Sequence, residues 1–111
     1  MALSSLEISV SSAESGPVLT LAGEADLTSV TRLDAALSAE ISRQAVQLTI
    51  DATNLRYADA ASVRTMVVAA RKVRARAGSV TLLNPQSPVA RMLDLLCVDQ
   101  VFSIRGRAAT G

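Results

Sequence analysis

The chain has 111 residues, a formal net charge of +1, 50% hydrophobic residues and 19% charged residues. These values suit one domain (1–111) with a buried core, and they exclude a disordered chain or a specialised binder of polyanions. The sequence has no histidine and no tryptophan, and Cys97 is its only cysteine. Most metal sites, disulfide frameworks and histidine-based catalysis are thereby excluded, so we expect no metal, no cofactor and no enzyme activity.

The N-terminal residues and the apolar runs bear on the cellular location of the protein. Residues 1–7 lack a basic region and a continuous apolar stretch, so a signal peptide is not expected. No apolar run approaches the roughly 20 residues that a membrane helix needs. We therefore expect a cytoplasmic protein in which the thiol of Cys97 stays reduced. The apolar neighbours of Cys97 predict that this thiol is buried and structural.

Short alternating or β-prone segments predict the strands. Apolar and polar residues alternate over 6–10, and the segment 18–22 is apolar and β-prone. The turn between them at 11–16 is short, which favours antiparallel pairing. Three more strands are predicted, at residues 46–50, 80–84 and 101–104.

Three segments between these strands show helical spacing. Thr28 or Ser29 can cap a helix whose apolar residues recur every three or four positions up to Ile41. A second helix is predicted to run from Asp59 to a terminator at Gly78, and a third starts at residues 87–88, with proline in its first turn. Residues 52–58 are predicted to be a loop, the core covers 6–104, and 105–111 are predicted to be a flexible tail.

Strands that alternate with helices predict an α/β fold with a mixed sheet of about five strands. The predicted element order is β-β-α-β-α-β-α-β, with the helices packed mainly on one face of the sheet. No repeat, linker or low-complexity segment interrupts this pattern.

Several segments, taken in order, resemble the STAS domains of bacterial anti-sigma factor antagonists and of sulfate-transporter tails. Residues 18–27 (VLTLAGEADL) are similar to the family's "L-x-G-E-[IL]-D" segment, and residues 48–55 resemble its strand–Asp–loop segment. Residues 57–64 (YADAASVR) fall where the family has "hydrophobic-x-D-S-S-G-L-x". Residues 82–85 and 92–102 resemble the closing strand, the last helix and the terminal strand, so the resemblance covers about 6–104.

A small stand-alone STAS domain suggests an antagonist more than a transporter tail. The resemblance implies a non-catalytic protein that binds an anti-sigma factor, in many cases a GHKL-type serine kinase, and so regulates transcription. From the low aromatic content and the short apolar runs we expect no direct contact with nucleic acid or membrane, and we expect a monomer or weak homodimer. In the family, the kinase phosphorylates a serine at the start of the second helix and breaks the complex. This switch has a physical basis: the free N–H groups at a helix start accommodate phosphate, and the added charge disrupts the interface with the partner.

The sequence departs from that family at the phosphorylated position. Ala60 and Ala61 stand where the motif has its two serines, and Ser62 stands where it usually has glycine. Three interpretations stay open. The chain is an antagonist that is never phosphorylated or is regulated by other means; Ser62 is a shifted acceptor; or Ser62 is an ordinary first-turn residue in a domain with another partner.

If the fold is as predicted, the segment after the second strand and the start of the second helix share one edge. Asp26 and Asp59 would supply charge there or merely cap the helices, and Tyr57 would supply apolar contact. Val63 either joins that contact or belongs to the core, and Arg64 either binds a partner carboxylate or is solvated. The predicted partner-binding residues are Asp26, Leu27, Thr28, Asn54, Tyr57, Asp59, Ala60, Ala61, Ser62, Val63 and Arg64.

The same residues give weaker support to other functions. A STAS domain that binds a nucleotide or small ligand, or that acts as a scaffold, is the main alternative, although the chain lacks a Gly-rich phosphate loop. A thioredoxin-like redox protein fails because there is no C-x-x-C pair. The basic cluster at 71–76 either touches phosphates or is simply the solvated end of a helix.

Overall fold

A computed structural model describes residues 6–106 of the chain. Its elements in chain order are β1 (Leu6–Ala13), β2 (Gly16–Ala25), α1 (Val30–Ser42), β3 (Gln47–Ala58), α2 (Ala60–Ala75), β4 (Ser79–Leu83), α3 (Ser87–Leu95), a short 3₁₀ helix (Asp99–Val101) and β5 (Ser103–Arg105). The predicted order of strands and helices is confirmed.

The strands form one five-stranded sheet in the sequential order β1-β2-β3-β4-β5. β1 and β2 pair antiparallel, whereas the three following pairs are parallel. Parallel neighbours need a crossover connection, and α1, α2 and α3 supply the three crossovers. The sheet is therefore mixed, as the sequence predicts.

The core lies between the helices and one face of this sheet. Along β2, Leu19 and Leu21 are fully buried, whereas Thr20 between them is only partly buried. The opposing helices bury their own apolar stripes, which include Leu33 and Leu37 of α1 and Met66 of α2. A sheet that is covered by helices on one face shows this alternation of buried and accessible residues.

The predicted loop at 52–58 is wrong, because β3 continues without interruption to Ala58. This second half of β3 stays paired with β2, where Gly23 lies beside Leu55 and Ala25 beside Ala58. The pairing with β2 shifts register twice, so buried residues recur at every third position (52, 55 and 58) instead of every second. The shifts remove the period-two pattern by which a strand is identified in a sequence.

Two other predictions about the C-terminal part need correction. Cys97 is exposed, not buried: it follows the last turn of α3 in the left-handed conformation, with φ of 56°, at the surface. Arg105 is the last residue of β5, and its carbonyl accepts a hydrogen bond from the amide of Asn84 (2.8 Å). Arg105 therefore does not begin the predicted tail, and residues 107–111 lie outside the described part of the chain.

The end of α2 differs from the prediction that Gly78 terminates the helix. The helix ends at Ala75, and Ala77 takes the left-handed conformation that is usual for glycine, with φ of 63°. Gly78 is needed for a different reason: a Cβ atom there would lie 2.3 Å from the carbonyl oxygen of Val46, just before β3. The connection from α2 to β4 therefore combines a strained alanine with a close backbone contact.

This turn yields a paired stability prediction. Gly78→Ala should lower the free energy of unfolding by about 1–3 kcal/mol, because the new methyl group overlaps the Val46 carbonyl. Ala77→Gly should raise it by up to about 1 kcal/mol, because glycine takes a positive φ without steric strain. Urea unfolding of both variants measures these changes. Equal effects of the two substitutions would contradict this account of the turn.

Candidate functional site

The candidate site is built where β2 and β3 end side by side. Ala25 lies beside Ala58, and the amide of Asp59 donates a hydrogen bond to the carbonyl of Ala25 (3.0 Å). The loop after β2 and the first turn of α2 therefore lie at the same edge of the sheet. We call this region, residues 24–28 and 57–64, the strand-end surface.

Asp26 organises the loop between β2 and α1. Its carboxylate accepts hydrogen bonds from the amide (2.9 Å) and the hydroxyl (2.6 Å) of Thr28. Its backbone is held by the fully buried Ser29, whose hydroxyl donates to the Asp26 carbonyl and accepts from the Asp26 amide, both at 3.1 Å. Ser29 stands at the N-cap of α1, but its side chain makes no capping bond to the helix. The sequence predicts a helix cap at residues 28–29 but does not predict these two hydrogen bonds between the Ser29 hydroxyl and the Asp26 backbone.

Two apolar side chains are exposed at the strand-end surface. Leu27 is 72% exposed in the ordered loop, and Tyr57 is 43% exposed near the end of β3. Tyr57 lies beside Glu24, and Glu24 forms an ion pair with Arg56 (3.8 Å) that is too solvated to stabilise the fold much. Apolar side chains that are exposed at an ordered loop and at the adjacent strand end are available for contact with another protein.

Asn54 is exposed but lies farther from this surface than the sequence predicts. It pairs with Ala22, well inside the length of β2, whereas Tyr57 and Ala58 pair with the last residues of that strand. The difference follows from the correction of 52–58, because a loop could return to the edge and a continuous strand cannot.

Asp59 begins α2 as its N-cap residue. Its carboxylate accepts a hydrogen bond from the amide of Ser62 (2.8 Å), so the capping role that the sequence left open is confirmed. Ala60 and Ala61 are partly buried in the first turn, and Arg64 is exposed.

The side chains of Ser62 and Val63 are both fully buried. The predicted contact of Val63 with a partner is wrong, because this residue lies on the inward stripe of α2 that also contains Met66. Ser62 shares the inward side, and its hydroxyl has no hydrogen-bond partner among the described residues. A kinase could reach Ser62 only if the first turn of α2 opened, and this argues against Ser62 as a shifted acceptor.

The strand-end surface has groups that are suited to contact with another protein. It offers an ordered loop, two exposed apolar side chains and the guanidinium group of Arg64. Over residues 6–106, no group of three or more histidine, cysteine or acidic side chains is arranged to hold a metal ion. In the same range, no helix is long and apolar enough to cross a membrane.

Comparison with known proteins identifies a family that the chain matches and solved structures that share its fold. A family model described as "Mlab, STAS domain" matches residues 8–105. The structure of the unphosphorylated anti-sigma factor antagonist SpoIIAA is similar, with a TM-score of 0.78 and 21% identity, over 93% of this chain and 89% of that one. An anti-sigma factor antagonist from Mycobacterium paratuberculosis gives a TM-score of 0.80 at 19% identity, over 90% and 85% of the two chains.

The phosphorylated form of the Bacillus protein SpoIIAA is also similar, with a TM-score of 0.73 and 21% identity, over 93% of this chain and 92% of that chain. At these identities the solved structures show that the fold is shared. A search of curated proteins found no match.

The burial of Ser62 yields a second prediction. Ser62→Ala should raise the free energy of unfolding by about 1 kcal/mol, because it removes a buried hydroxyl without a partner. Ser62→Asp should lower it by at least about 3 kcal/mol, because a carboxylate would be enclosed without a counter-charge. Chemical denaturation measures both changes.

The matched control for Ser62→Asp is Ala61→Asp, which adds the same charge one position earlier in the first turn, where the side chain is only partly buried. This control should be nearly neutral, because an acidic group is favourable near a helix N-terminus. A Ser62→Asp variant as stable as Ala61→Asp would show that the side chain at position 62 reaches water.

Proposed function

The chain belongs to the family described as "Mlab, STAS domain", and from its likeness to members that are anti-sigma factor antagonists we propose that it is one too. It binds an anti-sigma factor in the bacterial cytoplasm and thereby frees a sigma factor for transcription. It carries out no catalysis. The solved structures with the same fold include proteins that are described as anti-sigma factor antagonists, which supports this assignment. The observation that carries the proposal is the pair of exposed apolar side chains, Leu27 and Tyr57, on an ordered surface.

The order of the loop explains how the surface can bind tightly. Binding costs free energy when flexible segments must be fixed at the interface. Here the residues on both sides of Leu27 are already held, since Asp26 bonds to Thr28 and Ser29 bonds to the backbone of Asp26. The backbone that carries Leu27 is therefore held in place before the partner arrives, so less of the gain from burying this side chain is lost to ordering the loop.

We further propose that the antagonist works without the usual serine switch. Ala60 and Ala61 cannot accept phosphate, and Ser62 is enclosed. The hydroxyl of Thr28 is at the surface but bonds to the carboxylate of Asp26. A phosphate on Thr28 would face that negative charge at short range, which is unfavourable. Of the three interpretations of the motif, this arrangement supports the first, an antagonist that is never phosphorylated or is regulated by other means.

The interface is tested with Leu27→Asp. The charged side chain should weaken binding to the host's anti-sigma factors, each purified and measured by calorimetry, by at least about tenfold, because an apolar anchor is replaced by a group that stays solvated. The matched control is Val46→Asp, which changes another exposed apolar residue, just before β3.

Both variants should keep the wild-type free energy of unfolding to within about 0.5 kcal/mol, because both side chains are exposed. Equal losses of affinity in the two variants would place the interface elsewhere. If none of the anti-sigma factors bound the wild-type chain, the assigned function would be wrong.

The missing switch is tested by restoring it with Ala61→Ser, since position 61 matches the second serine of the family motif. With the cognate anti-sigma kinase and ATP, the wild-type chain should gain no phosphate at positions 59–65, whereas the variant should be phosphorylated and should dissociate. Mass spectrometry and size-exclusion chromatography report the two events. Phosphate on Ser62 of the wild-type chain would overturn the proposal that the antagonist lacks a serine switch.

A further inference from the structure

A groove runs along α2 on the side that faces the end of α3. It has a volume of about 380 Å³, and its lining consists of Arg64, Val67, Val68, Arg71, Leu96 and Val98. The floor is apolar and is made from two separate parts of the chain. The groove is distinct from the loop that presents Leu27, although Arg64 also belongs to the strand-end surface.

Exposed apolar side chains lie in the groove and next to it. Val68 is 51% exposed, and Leu95, which precedes the lining residue Leu96, is 70% exposed. Val68 falls outside the inward stripe of α2, so the core does not account for an apolar residue at this position. An exposed apolar strip beside charged residues is typical of a docking surface.

The two arginines of the groove stand on one face of α2. They are seven residues apart, which places them about 10 Å from each other along the helix axis, with Val67 and Val68 between them. Neither guanidinium group forms a hydrogen bond or an ion pair within residues 6–106. Arg74 and Arg76 farther along the chain differ, because they donate to the carbonyls of Gln100 and Ile41.

We propose that this groove binds an acidic amphipathic helix of a partner protein. Apolar side chains of that helix cover the floor, and two of its carboxylates, spaced two turns apart, pair with Arg64 and Arg71. The chain's own undescribed ends do not fit this role, because residues 1–5 and 107–111 contain no aspartate or glutamate. The inference goes beyond the proposed function, since it concerns a second surface and does not require the partner to be an anti-sigma factor.

The test uses synthetic peptides and the full chain. The first peptide is a helix-forming segment of about 15 residues with a leucine stripe flanked by glutamates two turns apart. The second carries lysine in place of each flanking glutamate, and the third carries alanine in place of each leucine. In ¹⁵N–¹H NMR titrations, only the first should shift the amides of residues 64–71 and 96–98.

Charge reversal at the groove supplies the matched pair of variants. Arg71→Glu should weaken binding of the leucine–glutamate peptide by at least about tenfold, because attraction becomes repulsion in a partly desolvated contact. Lys72→Glu makes the same change at the next residue, which does not line the groove, and should weaken binding less than about threefold. Leu27→Asp should leave the affinity for this peptide unchanged, so a failure of the groove and a failure of the strand-end surface are distinguishable.

Three results would overturn the inference. The first is equal binding of the glutamate and lysine peptides, and the second is equal loss of affinity in Arg71→Glu and Lys72→Glu. The third is a response of residues 64–71 to a small apolar anion, sodium decanoate, without any response to the leucine–glutamate peptide. That last result would assign the groove to a small ligand instead of a helix.

Discussion

The parallel pairing of β2 with β3 is the constraint on which the rest of the structure depends. It continues to Ala25 beside Ala58, and the next amide, that of Asp59, donates to the carbonyl of Ala25. That bond fixes the start of α2 relative to the loop that follows β2. A surface built from two separate segments thereby acquires one geometry, which backbone hydrogen bonds set and side-chain substitutions at the surface cannot easily disturb.

The same pairing determines which side chains of the surface are free to meet a partner. Because β3 is committed to the sheet up to Ala58, only Tyr57 among its last residues presents a large apolar side chain to solvent there. The carboxylates of Asp26 and Asp59 are occupied by local hydrogen bonds. These two residues therefore shape the surface, while Leu27 and Tyr57 offer apolar area that a partner could remove from water.

The sequence predicts the order of elements, the mixed sheet and the helix stripes, because each depends on local periodicity. It misses β3 beyond Asp51, where register shifts hide the strand, and it places Asn54 at the wrong point for the same reason. The exposure of Cys97 is not predicted, because exposure at a helix end depends on the neighbouring elements, whereas the burial of Val63 confirms one of its two predicted roles. The groove on α2 could not be predicted at all, since its floor combines residues distant in sequence.

The replacement of the family's Ser-Ser-Gly by Ala60, Ala61 and Ser62 changes more than the acceptor group. Alanine is the best helix former, serine is intermediate and glycine is poor, so the first turn of α2 gains helix propensity of a few tenths to about 1 kcal/mol at each position. The Asp59 cap stabilises the same turn further. The substitutions that remove the acceptor therefore also favour the helical conformation of the turn that completes the strand-end surface.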